Sequence, residues 1–218
     1  MSPLYALIPP YNIYFGGYPD ENDFVCLLEK NIQMFVDLTT DQEKKRYQLF
    51  PYYKLITYYK NYPIRDRSIP QDEIGFTRFI YELSAFIAQM GKNEHIYIHC
   101  KGGHGRSGIV VACLFRLLNP EWEMRECMYW TRYFHNQRRP MKKKYYELGC
   151  PDMLDQRAFL AHHLTPIVVS ECYYNYYIKR NLIVFIRYAM MRPIVYVSNP
   201  RIERMLNEIK KNYFLYYQ

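Results

Sequence analysis

The chain has no apolar run long enough to cross a membrane: the stretch from Leu182 to Met191 is interrupted by Arg187, whereas a spanning helix needs about 20 such residues. Met1 to Pro10 lacks the basic start and apolar core of a signal peptide. Cys26, Cys100, Cys113, Cys127, Cys150 and Cys172 form no CxxC pair and show no Cys/His zinc-finger spacing. That pattern argues against a structural zinc site and a disulfide framework, and a reducing, cytoplasmic setting is expected. No internal repeat occurs, and no metal-site constellation or cofactor motif is found. Half of the 218 residues are apolar or aromatic, which excludes a disordered chain and is enough to bury one sizeable core.

The formal net charge is +8. Such a balance steers acidic partners toward the surface, whether nucleic acid, phosphoprotein or anionic lipid, without choosing among them. Most of the lysines and arginines read as a solvated face, and Arg138 to Lys144 reads as an exposed connection. Twenty-five tyrosines, with many lysines, asparagines and isoleucines, fit an AT-rich coding bias such as that of a large DNA virus.

Hydrophobic periodicity organises the chain. Asn12 to Phe15 reads as a strand ended by Gly16-Gly17, and Asp20 as the cap of a helix through Glu29. Met34 to Leu38 is a second strand, with a shorter one around Leu55 to Tyr59 and an extended piece at Tyr62-Pro63-Ile64. Gln71 to Met90 carries Phe76, Phe79, Ile80, Leu83, Phe86 and Ile87 at helical spacing. A strand, Ile96-Tyr97-Ile98, leads into Cys100, and a buried helix follows Arg106. Further helices are predicted near Glu121 to Phe134 and Asp152 to His163. Strands alternating with helices, followed by a helical second half, predict an α/β fold with helices packed on a mostly parallel central sheet. Residues 165–218 form a tyrosine-rich, partly helical extension whose last helix is capped by Asn199 and opened by Pro200. It reads either as an extra packing layer or as a surface for homodimer or partner contacts.

The segment His99-Cys100-Lys101-Gly102-Gly103-His104-Gly105-Arg106-Ser107-Gly108 concentrates the chemistry. A strand feeding a glycine-rich loop that opens a helix is a phosphate cradle, because backbone N–H groups and the positive helix end converge there. Gly103 to Gly108 matches GxGxxG, but the dinucleotide fold needs a second strand ending in an acid roughly 20 residues later. The corresponding Glu123 to Cys127 falls inside a predicted helix. A Walker loop fails because no lysine has the required spacing.

A thiol explains the segment better. Free cysteine is mostly protonated at neutral pH, with a pKa of about 8.5, and a loop feeding a helix N-terminus with His99 and Arg106 nearby stabilises its anion. Arg106 can fork onto two phosphoryl oxygens, and Ser107 can donate its hydroxyl proton to the sulfur as leaving group. The loop glycines let backbone N–H groups approach a dianion closely. This chemistry is phosphomonoester hydrolysis through a phosphocysteine.

His-Cys-x5-Arg-Ser resembles the signature of the cysteine-dependent protein tyrosine phosphatases, especially their compact dual-specificity branch. The resemblance runs from about Pro10 to Leu164 and includes Ile13 to Gly17 and Leu38-Thr39-Thr40. It implies a catalytic domain over residues 1–164, with Cys100 as nucleophile. Arg106 and the amides of Lys101, Gly102, Gly103, His104, Gly105 and Arg106 then bind phosphate, while His99 and Ser107 tune the sulfur. Tyr62 to Pro70 matches the family's acid loop, which makes Asp66, 34 residues before Cys100, the general acid. Asp72 reads instead as a first-turn residue of the following helix. Gln156 resembles a late glutamine that orients the hydrolytic water, and reads equally as a helix-surface residue. His162 and His163 read as structural, and His135 carries no signal.

Lys101 and His104 resemble two basic positions of phosphoinositide 3-phosphatases, and phosphatases of RNA 5′ ends share the fold. An RNA enzyme usually carries asparagine where Gly105 stands. Phosphorylated protein, with phosphotyrosine and phosphoserine or phosphothreonine, is therefore the leading substrate, ahead of anionic lipid and RNA. A non-catalytic phosphoprotein-binding module is the alternative from another class, although Cys100, Arg106 and Asp66 are all present.

Overall fold

The computed structural model describes residues 5–43, 57–138, 141–164, 167–169, 194–196 and 200–216. They fall into two compact units, one of Met1–Gln71 with Phe79–Ala161 and one of Asp72–Arg78 with His162–Gln218.

The first unit is built on a five-stranded sheet. Strands β1 (Tyr5–Ile8), β2 (Ile13–Gly16), β3 (Ile32–Asp37), β4 (Tyr58–Asn61) and β5 (His95–His99) lie in the order β1-β2-β5-β3-β4. All neighbours are parallel except β1, which pairs antiparallel with β2. β5 lies between two parallel neighbours, and Ile96, Tyr97 and Ile98 are each fully buried. A strand covered on both faces reads as an unbroken apolar run rather than an alternating one, which is why this segment does. In register, His99 faces Gly16 on one side and Asp37 on the other, so three strand ends converge where Cys100 begins. Open parallel sheets bind ligands at this carboxyl edge.

Helix α1 (Glu21–Glu29) starts as Asp20 directs, with the Asp20 carboxylate accepting from the Asp23 N–H at 2.8 Å and Asp23 returning to the Asp20 N–H. Its Phe24 and Leu27 pack with Tyr5, Ile32, Phe35 and Tyr97 in one cluster. Burying a side chain of this size stabilises by about 1.5–3 kcal/mol. Of the residues its periodicity picks out, helix α2 (Glu73–Gln89) buries Phe76, Phe79, Ile80, Leu83 and Ile87, while Phe86 is half-buried. α3 (Arg106–Leu118) is buried from Arg106 to Phe115. α4 (Met124–His135), α5 (Lys143–Leu148) and α6 (Leu154–His162) follow.

β1 and α5 are absent from the sequence-based expectation. β1 is four residues long and abuts Pro9-Pro10, so only its pairing with β2 marks it as a strand. α5 is a six-residue helix with no buried residue, and hence no apolar period to detect. The expectation of an exposed Arg138 to Lys144 is corrected at its first residue, since Arg138 is 3% exposed. A guanidinium tolerates burial when its donors are satisfied, as these are. The strand expected near Leu55 is observed from Tyr58, its earlier part lying outside the described residues.

In the second unit, β6 (Ile167–Val169) pairs parallel with β7 (Ile194–Tyr196), followed by α7 (Pro200–Tyr216). Pro200 opens α7 as expected, while Asn199 lies outside the described residues. Asp72 caps the start of α2, its carboxylate accepting from the Gly75 N–H at 2.9 Å. His163 is buried, with Nε2 3.4 Å from Thr77 Oγ1.

Candidate active site

Cys100 follows the last residue of β5 and is 3% exposed. Its sulfur accepts from the Gly103 N–H at 3.2 Å and lies 3.7 Å from Ser107 Oγ. The loop from Cys100 to Gly105 ends where Arg106 starts α3, so the first turn of a 13-residue helix points at the sulfur. The positive helix end and an amide donor both face that sulfur. The buried thiols of Cys113, Cys127 and Cys150 lack such a setting, and burial pushes all three up, Cys127 to about 12.

The loop backbone is held from outside. Arg138 donates from Nη1 to the Gly103 carbonyl at 2.5 Å and from Nη2 to the Gly102 carbonyl at 3.1 Å. In a trans peptide the C=O and the next N–H point opposite ways. Pulling these two carbonyls outward therefore turns the N–H groups of Gly103 and His104 the opposite way, and the Gly103 N–H lies on the sulfur. Gly103 adopts φ +72°, and a Cβ there would lie 2.2 Å from the Gly16 carbonyl carbon. Only glycine meets both conditions.

Arg106, 1% exposed, directs its guanidinium along the cleft. Nη1 and Nη2 donate to the two Glu43 carboxylate oxygens at 2.7 and 3.0 Å, Nη1 also to the Ile64 carbonyl, and Nη2 to Asp66 Oδ1 at 2.8 Å. The ion pair holds the Glu43 carboxyl below its ordinary range. Asp66 sits in the loop predicted to carry it, which turns through Arg67 at φ 57°. Gln156 is fully buried on α6 and donates from Nε2 to the Ser68 carbonyl at 3.0 Å, tying that helix to the acid loop. It is no surface residue. A cleft of about 290 Å³ has Cys100, Arg106, Lys101, Asp66, Tyr145 and Gln156 among its walls.

Two histidines depart from expectation. His99 is fully buried and its pKa is pushed down to about 4 by burial, against the pull of Asp37. It is neutral near pH 7, so the cations near Cys100 are Arg106 and Arg138 rather than His99. His104, expected as a basic position, stacks on Tyr145 with ring centroids 3.8 Å apart and hydrogen-bonds through Nδ1 to His135 Nε2 at 2.9 Å. His135 Nδ1 in turn reaches Asn136 Oδ1 at 2.9 Å. Burial, with Arg138, His135 and Lys144 nearby, pushes His104 down to about 3, so its imidazole is neutral. Lys101 alone remains as an exposed cation of the predicted pair.

The sequence reading places Cys100, Arg106, Asp66, Ser107 and Gln156 in one site, and the structure brings these together. It missed Glu43, Arg138, His135, Tyr145 and Asp152, each remote in sequence from the loop it supports. His135 carried no signal because its partner, His104, is 31 residues away.

The family model "Polymorphic toxin system, DSP-PTPase phosphatase" matches residues 12–118. Protein 067L of Invertebrate iridescent virus 3 is 33% identical over 146 residues, covering 67% of this chain and 59% of that protein. Protein 197R of Invertebrate iridescent virus 6 is 38% identical over 117 residues, covering 51% and 42%. Both are presumed tyrosine phosphatases by name, and the chain spans about half the length of these relatives. Among solved structures, the active form of Tk-PTP superposes with TM-score 0.51 at 21% identity, covering 73% of this chain and 95% of that one. Kinase associated phosphatase, with its catalytic cysteine replaced by serine, gives 0.52 at 20% identity, covering 75% and 99%. These two likenesses establish the fold. The family match and the viral relatives show that residues 12–118 are similar to the cysteine-dependent protein tyrosine phosphatases of the compact dual-specificity-like branch.

Proposed function

We propose that the chain hydrolyses phosphate monoesters through a phosphocysteine on Cys100, with protein phosphotyrosine as leading substrate and phosphoserine or phosphothreonine as further ones. The observation that carries this reading is the Cys100 sulfur in the cleft, with the Gly103 N–H on it and the Arg106 fork beside it. The thiolate attacks phosphorus, Asp66 gives its proton to the departing oxygen, and water then releases phosphate from the sulfur. Arg106 and the loop amides hold the charge of the transferring phosphoryl group.

The stacked Tyr145 and His104 rings at the cleft favour an aryl ester. A neutral His104 removes one of the two basic positions expected to meet a second phosphate, leaving Lys101 with Arg67 on the cleft wall, which weighs against phosphoinositides and triphosphorylated RNA. The test compares initial rates on a phosphotyrosine peptide, a phosphothreonine peptide, a phosphoinositide and 5′-triphosphorylated RNA, with Cys100→Ser as control. The phosphotyrosine peptide is expected to be fastest. Turnover no higher than in Cys100→Ser overturns the enzymatic reading, and preference for the lipid or RNA overturns the substrate.

A further inference from the structure

Two histidine rings beside the phosphate loop form a hydrogen-bonded chain whose direction can be read. Asn136 Oδ1 can only accept, so His135 Nδ1, 2.9 Å away, carries a proton. Burial pushes His135 down to about 4 and His104 down to about 3, so near pH 7 both rings are neutral and each has one N–H. His135 Nε2 is then bare and accepts from His104 Nδ1 at 2.9 Å. The His104 proton is committed to Nδ1, and its Nε2 is left as a lone pair.

That lone pair lies on the open side of the loop. His104 is half-buried and lines the cleft with Cys100, Lys101 and Tyr145. Its ring is held within 10° of the Tyr145 plane, so its edges have fixed directions. The Cδ2–Nε2 edge runs beside the exposed Gly102, where a Cβ would stand 2.9 Å from Cδ2 and 3.5 Å from Nε2. Glycine at 102 therefore leaves open an approach that a side chain would fill. Among the described residues, both nitrogens of His135 have a hydrogen-bond partner, whereas His104 is bonded through Nδ1 alone.

An acceptor is the wrong group for a phosphoryl oxygen. The loop amides, Arg106 and Lys101 are donors and serve that purpose. His104 Nε2 matches instead a donor elsewhere on the substrate. The phosphorylated ring of a phosphotyrosine has no N–H, so the donors that arrive with it are the main-chain amides of the peptide. We propose that His104 Nε2 accepts a main-chain N–H of a phosphotyrosine peptide, and that His135 is the positioning residue that holds His104 in the required tautomer. This inference rests on the phosphotyrosine reading above and adds a contact that tells a peptide from a small aryl phosphate.

Two measurements test it. Imidazole nitrogen NMR of the wild-type protein reads the tautomer, and His104 is expected to have Nδ1 protonated and Nε2 bare. A peptide carrying a non-hydrolysable phosphotyrosine mimic should shift the Nε2 signal. The opposite tautomer, or an Nε2 signal indifferent to the bound peptide, overturns the proposal. The second measurement compares kcat/KM for a phosphotyrosine peptide with analogues in which a single N–H, at phosphotyrosine or at the residue after it, is replaced by an ester oxygen. One analogue is expected to be about fivefold poorer, the worth of one net hydrogen bond, with the loss in KM. In His104→Phe, which keeps a ring against Tyr145, that preference for the amide should vanish. His135→Phe should shrink it and release the His104 tautomer. Equal kcat/KM for the peptide and every analogue in the wild type overturns the proposal, and so does a preference that survives in folded His104→Phe. Should His104→Phe fail to fold, the wild-type tautomer and its response to the peptide decide the question. Failure of the phosphotyrosine reading looks different, because the wild-type protein would then turn over no phosphotyrosine peptide beyond the Cys100→Ser control.

Discussion

Asp66 Oδ1 lies 2.8 Å from Nη2 of Arg106, the guanidinium expected to hold the substrate phosphate. A phosphate dianion therefore competes with the Asp66 carboxylate for one donor. Removing that negative charge should tighten dianion binding while removing the proton source. In Asp66→Asn, vanadate inhibition is expected to strengthen several-fold, while kcat on a phosphotyrosine peptide falls about 10²-fold. The fall should be much smaller on an aryl phosphate with a good leaving group, which needs no proton. Equal losses on both substrates would count against the acid role.

Arg138 reaches the loop from the far end of α4, and its two donors fix two peptide planes. Arg138→Met should free the carbonyls of Gly102 and Gly103 and let the N–H groups of Gly103 and His104 turn, taking the Gly103 N–H from the sulfur. Hydrogen bonds from a charged donor contribute about 1.5–3 kcal/mol. The expected result is vanadate affinity reduced at least tenfold, with a lower melting temperature. Arg138→Lys, with one ammonium in place of a two-pronged fork, should restore charge and only part of the affinity. Vanadate affinity unchanged in a folded Arg138→Met protein would show that the loop holds its shape without the clamp.

How these groups were distributed along the chain decides which were legible. The strand into Cys100, the glycines and Arg106 form one contiguous segment whose apolar run, turn residues and nucleophile all signal together. Asp66 was legible because Tyr62 to Pro70 resembles the acid loop of the phosphatase family. Glu43 and Arg138 had no comparable signal, lying 63 residues from Arg106 and 35 from Gly103. Each is one charged residue among many, and only tertiary contact distinguishes a clamp from a solvated side chain. The same reasoning explains His104. Its basic appearance is a property of the residue type, whereas its neutrality comes from Tyr145, His135 and Arg138 assembled around it.

Glu43 grips the outer edge of Arg106, and the sign of its pH effect follows from its lowered pKa. The unfolded carboxyl takes a proton near 4.5, and the folded one only at lower pH. Its stabilisation is thus fully present above that ordinary value and is lost as pH falls through the folded one. Glu43→Gln should cost about 2 kcal/mol at pH 7 and correspondingly less in acid, narrowing the gap to wild type. Urea unfolding at pH 7 and pH 3.5 reads both effects. A gap that stays constant with pH would assign the loss to packing rather than to the ion pair. With one face of its fork released, Arg106 should also lose orientation, and kcat/KM is expected to fall about tenfold.

His99, His104 and His135 titrate in the opposite part of the scale from an ordinary histidine. Burial depresses all three, to about 4, 3 and 4. Near pH 6.5 the unfolded histidines begin to take protons that the folded ones refuse, so the unfolded state binds more protons from there down to about 4. Stability should therefore be insensitive to these groups above pH 7 and fall as pH drops from 6.5 to 4. The slope is roughly 1 kcal/mol per pH unit for each histidine. Replacing His104 by asparagine, which keeps a hydrogen-bonding side chain but does not titrate, should flatten that slope without removing it. The imidazole NMR signals of His104 and His135 should not move between pH 8 and pH 5. A midpoint near 6.5 for His104 would restore a second cation beside Lys101, and with it the case for a substrate bearing a second phosphate.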